Sequence, residues 1–367
     1  MIRKAKTVFE MFDVSGNVKR IEKMKSGIIN DTFHVMTERD GRIKEYTLQR
    51  INGNVFKNPA QTIDNIERIT LHLKMKMEAR GQETENRLLT PIHLKSGENF
   101  FRDEIGSFWR LYPYIDKSVC YNTVDTPEIM KMIGKAFGEF QYLLADFPAE
   151  TLYTTIPDFH NTKKRFFSLY DAWRENSAGR ANAATGALLG ALKEKEKLAF
   201  KLQNMLEAGE LPLRVTHNDT KSNNVLLDEI TSEPVSVIDL DTVMPGLSVH
   251  DFGDAVRYGA NTGAEDEVNL SKVSLDLEMY EAFAAGFIPE LENGLSDVEL
   301  ENMSLGAITM TLELAARFLT DYLNGDVYFK TKYPEHNLVR TKAQLTLAED
   351  MIEKFDKMQT IINKYRK

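Results

Sequence analysis

The fold is decided between residues 214 and 254, where the chain reads RVTHNDTKSNNVLLDEITSEPVSVIDLDTVMPGLSVHDFGD. Leu211, Leu213 and Val215 alternate with other residues on the way into His217, the pattern of a short strand feeding a polar loop. That loop runs His217-Asn218-Asp219-Thr220-Lys221-Ser222-Asn223-Asn224. Val225, Leu226 and Leu227 resume an apolar run, and an acidic turn with Ser, Thr and Pro follows. Val235, Val237 and Ile238 then form a second strand that ends in Asp239 and Asp241. The segment predicts a hairpin with carboxylates at both ends.

Such an arrangement suits phosphoryl transfer, which asks a protein to aim an acceptor hydroxyl in line and to supply cations that neutralise the transferred group. Asp219 is the candidate to orient or deprotonate the hydroxyl. Asn224 offers a neutral oxygen ligand to magnesium and Asp239 a charged one. His217 is expected to pack and hydrogen-bond beneath the loop.

H-x-D-x-x-x-x-N followed about twenty residues later by an apolar strand ending I-D resembles the aminoglycoside phosphotransferase and choline kinase superfamily, itself related to protein kinases. Within it, HNDTKSNN, VIDLDTVMPG and HDFGDAVRYGA together are most similar to the N-acetylhexosamine 1-kinases. The resemblance runs from Asn17 onward. It implies ATP and Mg2+ as cofactors and a free sugar as acceptor. Asp251-Phe252-Gly253 also spells the magnesium motif of protein kinases, but it follows Asp219 by 32 residues, whereas Asp239 follows by 20. One short hairpin fits only the nearer spacing. The metal therefore goes to Asp239, and Asp251 is read as an N-terminal cap or a buried brace for a helix beginning near Phe252.

With 367 residues the chain can build two lobes, and its net charge of −9, with a pI near 5.5, disfavours nucleic acid or an anionic membrane as partner. A single cysteine, Cys120, excludes an internal disulfide framework and a cysteine-rich metal site. No apolar run has transmembrane length and the basic start lacks a signal-peptide core, so a cytoplasmic protein with a small-molecule substrate is the expectation. Nothing in the sequence sets the oligomeric state.

Upstream, residues 17–52 predict a three-stranded meander with turns at Ser26-Gly27 and Asp40-Gly41. In the resemblance the first turn covers the nucleotide phosphates, with Asn30, Asp31 and Thr32 near the ligand, and Ile28 stands where relatives often carry histidine. The third strand, Tyr46-Thr47-Leu48-Gln49-Arg50, lacks a lysine, leaving Arg50 as candidate cation for the phosphates; the alternative is a solvated edge arginine. Glu67, on a helix that opens at Pro59, either pairs with Arg50 or is solvated. Leu88–Leu94, Phe100–Arg102 and Ser107–Tyr112 complete the small lobe, whose sheet is expected to be five-stranded. Tyr112-Pro113-Tyr114-Ile115-Asp116 reads as a hinge, where backbone at Tyr114 and Ile115 would meet an adenine edge.

Beyond Thr126 the periodicity is helical: from Pro127 to Phe147, about Asn161 to Asn176, about Ala187 to Glu207, Leu275 to Phe287, Asp297 to Leu323 and Leu338 to Tyr365. RFLTDYLNGDVYF, residues 317–329, is similar to the sugar-pocket segment of the hexosamine kinases and assigns Arg317 and Tyr328 to the acceptor, beside Asp219. The expectation is an α+β, protein-kinase-like two-lobed fold, with a five-stranded antiparallel lobe over 1–116 and a mostly helical lobe over 117–367. Its expected activity is an ATP- and Mg2+-dependent sugar 1-kinase. A kinase for another small alcohol, of choline, homoserine or methylthioribose type, and an inactive kinase-like binding protein stay open.

Overall fold

The computed structural model describes residues 1–24, 30–53 and 55–366. The Ser26-Gly27 turn and Ile28 lie outside them. The smaller lobe opens with α1 (Ile2–Phe9), which the sequence reading did not anticipate although Ala5, Val8, Phe9 and Phe12 follow helical spacing and are all buried. β1 (Asn17–Lys23), β2 (Asp31–Arg39) and β3 (Arg42–Arg50) form the expected meander. The β2–β3 turn places Asp40 and Gly41 at positive φ, the two-residue geometry whose twist matches a hairpin. After α2 (Pro59–Ala79) come β4 (Phe101–Arg102) and β5 (Phe108–Pro113), giving an antiparallel sheet in the order β1-β2-β3-β5-β4. Leu88–Leu94 is not one of its strands: Pro91 lacks an N–H, and among the described residues the run pairs with the sheet through the isolated bridge Ile92–Leu111.

The larger lobe carries β6 (Ser118–Val119), α3 (Pro127–Leu143), α4 (Thr162–Glu175), α5 (Ala183–Glu194), α6 (Glu196–Ala199) and α7 (Lys201–Glu207). The helix expected over residues 187–207 therefore starts earlier, at a capping box of Asn182 and Thr185, and breaks at Lys195 and Phe200. β7 (Arg214–Thr216), β8 (Val225–Asp228), β9 (Pro234–Val237) and β10 (Met244–Gly246) frame the catalytic stretch. β8 pairs with β9 as the expected hairpin, and β10 pairs with β7. α8 (Ser248–Gly259), α9 (Leu277–Glu290), α10 (Asp297–Glu301), α11 (Met303–Leu323), α12 (His336–Glu353) and α13 (Phe355–Tyr365) complete the chain.

The three largest apolar clusters among the described residues hold this together. One lies between the sheet and α1, and the largest fills the helical lobe around Phe252, Phe283 and Phe287. A third spans the lobes, joining Ile66, Ile69, Leu73 and Met77 of α2 to Phe140 and Leu143 of α3 and to Val215, Leu240 and Val243. Among the described residues no helix is long and apolar enough to cross a membrane.

Candidate active site

The loop from His217 to Asn224 is shaped by buried hydrogen bonds. Asn218 adopts the left-handed conformation (φ 63°), which asparagine tolerates better than most residues, and its amide donates to the carbonyls of Thr216 (3.2 Å) and Thr242 (2.9 Å). His217 is fully buried, edge-on to Phe137 and Phe140, with Nε2 2.8 Å from the Ile238 carbonyl. Asp219 emerges half-buried at the cleft, where Lys221 pairs with its carboxylate at 2.8 Å. Burial pulls the Lys221 ammonium toward losing its proton, but the charges of Asp219 and Asp254 prevail and raise its proton affinity.

The second motif resembling D-F-G has a different job in each of its residues. Asp251 lies inside the first turn of α8 and is not its cap; its carboxylate accepts the backbone N–H groups of His217 (2.7 Å) and Asn218 (2.8 Å) and the amide of Gln141 (2.7 Å). It braces the loop that carries Asp219. Burial pushes its pKa up, against the pull of His217 and of these donors. Phe252 is core, and Gly253 sits where α8 crosses α11: a Cβ there would stand 2.4 Å from the Gly306 carbonyl.

Asn224 donates through its amide nitrogen to the Asp219 carbonyl (2.8 Å) and carboxylate (3.3 Å), which turns its amide oxygen away from Asp219. Across the hairpin, Ile238 N–H donates to the Asn224 carbonyl at 2.9 Å, so Asp239 stands next to Asn224. Asp239 is also in the left-handed region (φ 59°). Its side chain is exposed to solvent, but the protein around it desolvates the carboxylate; that desolvation, then the charges of Asp241 and Asp219, push its pKa up to about 6, against His217 and Arg110. Among the described residues no three His, Cys, Asp or Glu side chains form a ready cage for a metal. A magnesium site that borrows ligands from a phosphate needs only one or two carboxylates, and Asp239, crowded by Asp241 and Asp219 with Asn224 across the hairpin, fits that ion.

Strand alternation sorts the nucleotide candidates. Asp31, Phe33 and Val35 share a face with Arg50, Leu48 and Tyr46, and that face packs toward α1. Arg50 bonds Asp31 (3.0 and 2.5 Å) and lies over Trp109. Neither residue of that pair points into the cleft. Glu67 does not pair with Arg50 either; its carboxylate is taken by His93 and Asn99. On the cleft face stand Thr32, Gln49 and Arg110, with Asn30 beside them. Arg110 is a cleft-facing cation that the sequence reading missed, although its alternation against Trp109 and Leu111 in a buried strand was a legible signal. At the hinge, Tyr114 gives its N–H to the Glu45 carbonyl (3.1 Å) and so cannot offer it to a purine; Ile115 is buried beside it.

Beside this loop α11 presents Glu313 and Arg317 one turn apart. His160 bridges Glu313 (2.9 Å) to the carbonyl of Asn218 (3.1 Å), the residue before Asp219. Burial opposes the charge of Glu313, but His160, then Arg317, hold its pKa down at about 2. The Arg317 guanidinium lies among Phe159, Tyr328 and Phe329, 5.3 to 5.9 Å from their ring centres. Asp321, one turn further, accepts the N–H groups of Val327, Tyr328 and Phe329 at 2.8 to 2.9 Å and hangs their loop from the helix. The structure thus brings Arg317 and Tyr328 together, and through His160 ties their helix to the catalytic loop. His160 and Glu313 carried no motif in the sequence.

Residues 20–285 match the model of the phosphotransferase enzyme family. A microcompartment-associated aminopropanol kinase is similar in structure (TM-score 0.63, 15% identity, 98% of this chain and 99% of the other covered). So is a choline kinase from Cryptosporidium parvum (TM-score 0.58, 12% identity, 99% and 98% covered). A spectinomycin phosphotransferase in complex with ADP and spectinomycin follows at TM-score 0.51 and 13% identity, with 100% and 98% covered. At such identities the likeness speaks for the fold alone, which is the two-lobed kinase-like one expected from the sequence. The match of residues 20–285 covers well over half of the chain, and the protein belongs to the phosphotransferase enzyme family.

Proposed function

We propose that the protein is an ATP-dependent kinase that phosphorylates the anomeric hydroxyl of a hexose or N-acetylhexosamine. The observation that carries the acceptor class is the Arg317 guanidinium, held among Phe159, Tyr328 and Phe329 on a helix tied to the catalytic loop. A planar donor and aromatic faces suit a neutral polyol ring. A cationic amino alcohol would instead meet Arg317, the neighbouring Arg165 and Lys221, and the nearby Asp254 is already engaged by Arg257 at 2.7 and 3.0 Å.

Asp219 takes the acceptor hydroxyl's hydrogen bond and orients or deprotonates it; the anomeric hydroxyl is the most acidic on a free sugar, so a carboxylate base suffices there. Lys221 pairs with the Asp219 carboxylate, and Asn224 donates to its backbone carbonyl and carboxylate. Asp239 and the amide oxygen of Asn224 would hold magnesium, which supplies charge neutralisation on the phosphoryl group when bound. The cleft face of the sheet receives the nucleotide.

A coupled ADP-release screen over free sugars, choline, ethanolamine and aminopropanol tests this reading. Free hexoses or N-acetylhexosamines should turn over, with product phosphorus coupled to the anomeric proton by NMR, and the methyl glycoside of the best sugar should be inert. Phosphorus coupled to the C6 protons, or turnover of the amino alcohols alone, would overturn it.

A further inference from the structure

The sheet lacks a lysine at the cleft-facing position of β3: Gln49 stands there, and Arg50 points to the opposite face. Directly across the ladder from Gln49 is Arg110 of β5. Its guanidinium is buried, with a side-chain exposure of 3%, and three of its N–H donors are accounted for by two partners. Nε and one terminal nitrogen donate to Gln49 Oε1 at 3.0 and 2.7 Å, and the other terminal nitrogen donates to Asp241.

Those partners come from different lobes. Asp241 belongs to the larger lobe, two residues beyond Asp239, and its second oxygen accepts from Asn30 of the smaller lobe at 2.7 Å. The smaller lobe therefore grips the loop that bears Asp239 through one carboxylate. A guanidinium fork facing the cleft, beside the carboxylate that would hold the metal, has the geometry and fixed charge to take two phosphate oxygens at once. In this structure the Asp241 carboxylate takes one terminal nitrogen of that guanidinium, and Gln49 takes the edge formed by Nε and the other. Burying such a pair is costly in desolvation and gives it little net value as a fastener, so an incoming oxyanion can replace it at small cost.

We propose that Arg110 is the cation that binds the nucleotide's phosphates, and that Asp241 is the counter-ion it exchanges for them, opening the grip between the lobes as it does so. The inference rests on the reading of the protein as a nucleotide-dependent kinase and assigns a residue within that site. Gln49 then acts as a positioning residue that keeps the fork planar to the cleft.

Calorimetric titration of ATP, ADP and adenosine, with and without magnesium, tests it without any turnover. Arg110→Gln alone strands a buried Asp241, so the deciding variant is Arg110→Gln combined with Asp241→Asn, which removes both charges; Arg110→Lys is the second. The double variant should lose ATP and ADP affinity by roughly 10- to 100-fold, the span for one charge-assisted contact, and bind adenosine within threefold of the parent. Arg110→Lys should recover part of the loss, and Arg50→Gln should leave ATP affinity within threefold. Asp241→Asn alone should tighten magnesium-free ATP several-fold by removing the competitor. ATP affinity unchanged in the double variant, or an equal loss of ATP and adenosine, overturns the assignment. A parent protein that does not prefer ATP to adenosine overturns the kinase reading itself, a result distinct from either.

Discussion

Single carboxylates in this site differ in what they hold, and substitution separates them. Asp251→Ala leaves two buried backbone N–H groups without an acceptor, at roughly 1–3 kcal/mol each, so a loss of about 4 kcal/mol in urea unfolding is expected. Asp239→Asn removes a repelled charge and keeps a side chain that tolerates the left-handed backbone there; it should keep stability within about 1 kcal/mol and abolish the magnesium dependence of nucleotide binding. The opposite pattern, a stable Asp251→Ala that has lost that dependence, would move the metal to the second motif. The spacing of 20 against 32 residues already separated these two aspartates in the sequence, because a hairpin brings its ends together at one length only. Arg50 and Arg110 were not separable that way. A side chain's face depends on strand register, and a slip of one residue exchanges the faces.

Elements were legible where their pattern is local. The β8–β9 hairpin, the meander and α3, with its Thr126 cap and Pro127, follow from turn chemistry and periodicity. α1 was missed because its apolar stripe lies among basic residues, and Leu88–Leu94 was over-read because apolar alternation alone does not exclude a proline-broken edge. The crossing of α8 and α11 was invisible for another reason: it depends on two glycines more than 50 positions apart, Gly253 and Gly306. A Cβ on Gly306 would stand 2.1 Å from the Val249 carbonyl oxygen, and one on Gly253 meets Gly306 backbone, so neither helix can yield without the other. Gly253→Ala should cost about 3 kcal/mol by overpacking and lower kcat by displacing Asp251. Thermal unfolding at the parental Tm in this variant would show that the crossing is looser than the backbone spacing indicates.

For the whole molecule, the cluster that joins α2 to α3, Val215 and Leu240 makes α2 part of the larger lobe's body although the chain delivers it between two strands of the sheet. Asn65 reinforces this, donating to the carbonyls of Tyr153 (2.8 Å) and Val243 (3.1 Å) and accepting the Tyr153 N–H (2.9 Å). The grip of Asn30 and Arg110 on Asp241 is by contrast polar, and it joins the sheet, not α2, to the loop that carries Asp239. Any rearrangement of the cleft on nucleotide binding is then a movement of the sheet and α1 over a platform that includes α2. Optical reporters can follow it: a donor dye on the exposed Ile43 of β3 and an acceptor dye on the exposed Met75 of α2 should change transfer efficiency when ATP is added. The same acceptor read against a donor on the exposed Lys131 of α3 should stay silent. Attached to the first pair, an otherwise ordinary helix becomes the fixed arm of a nucleotide gauge, one that works in the absence of any acceptor sugar.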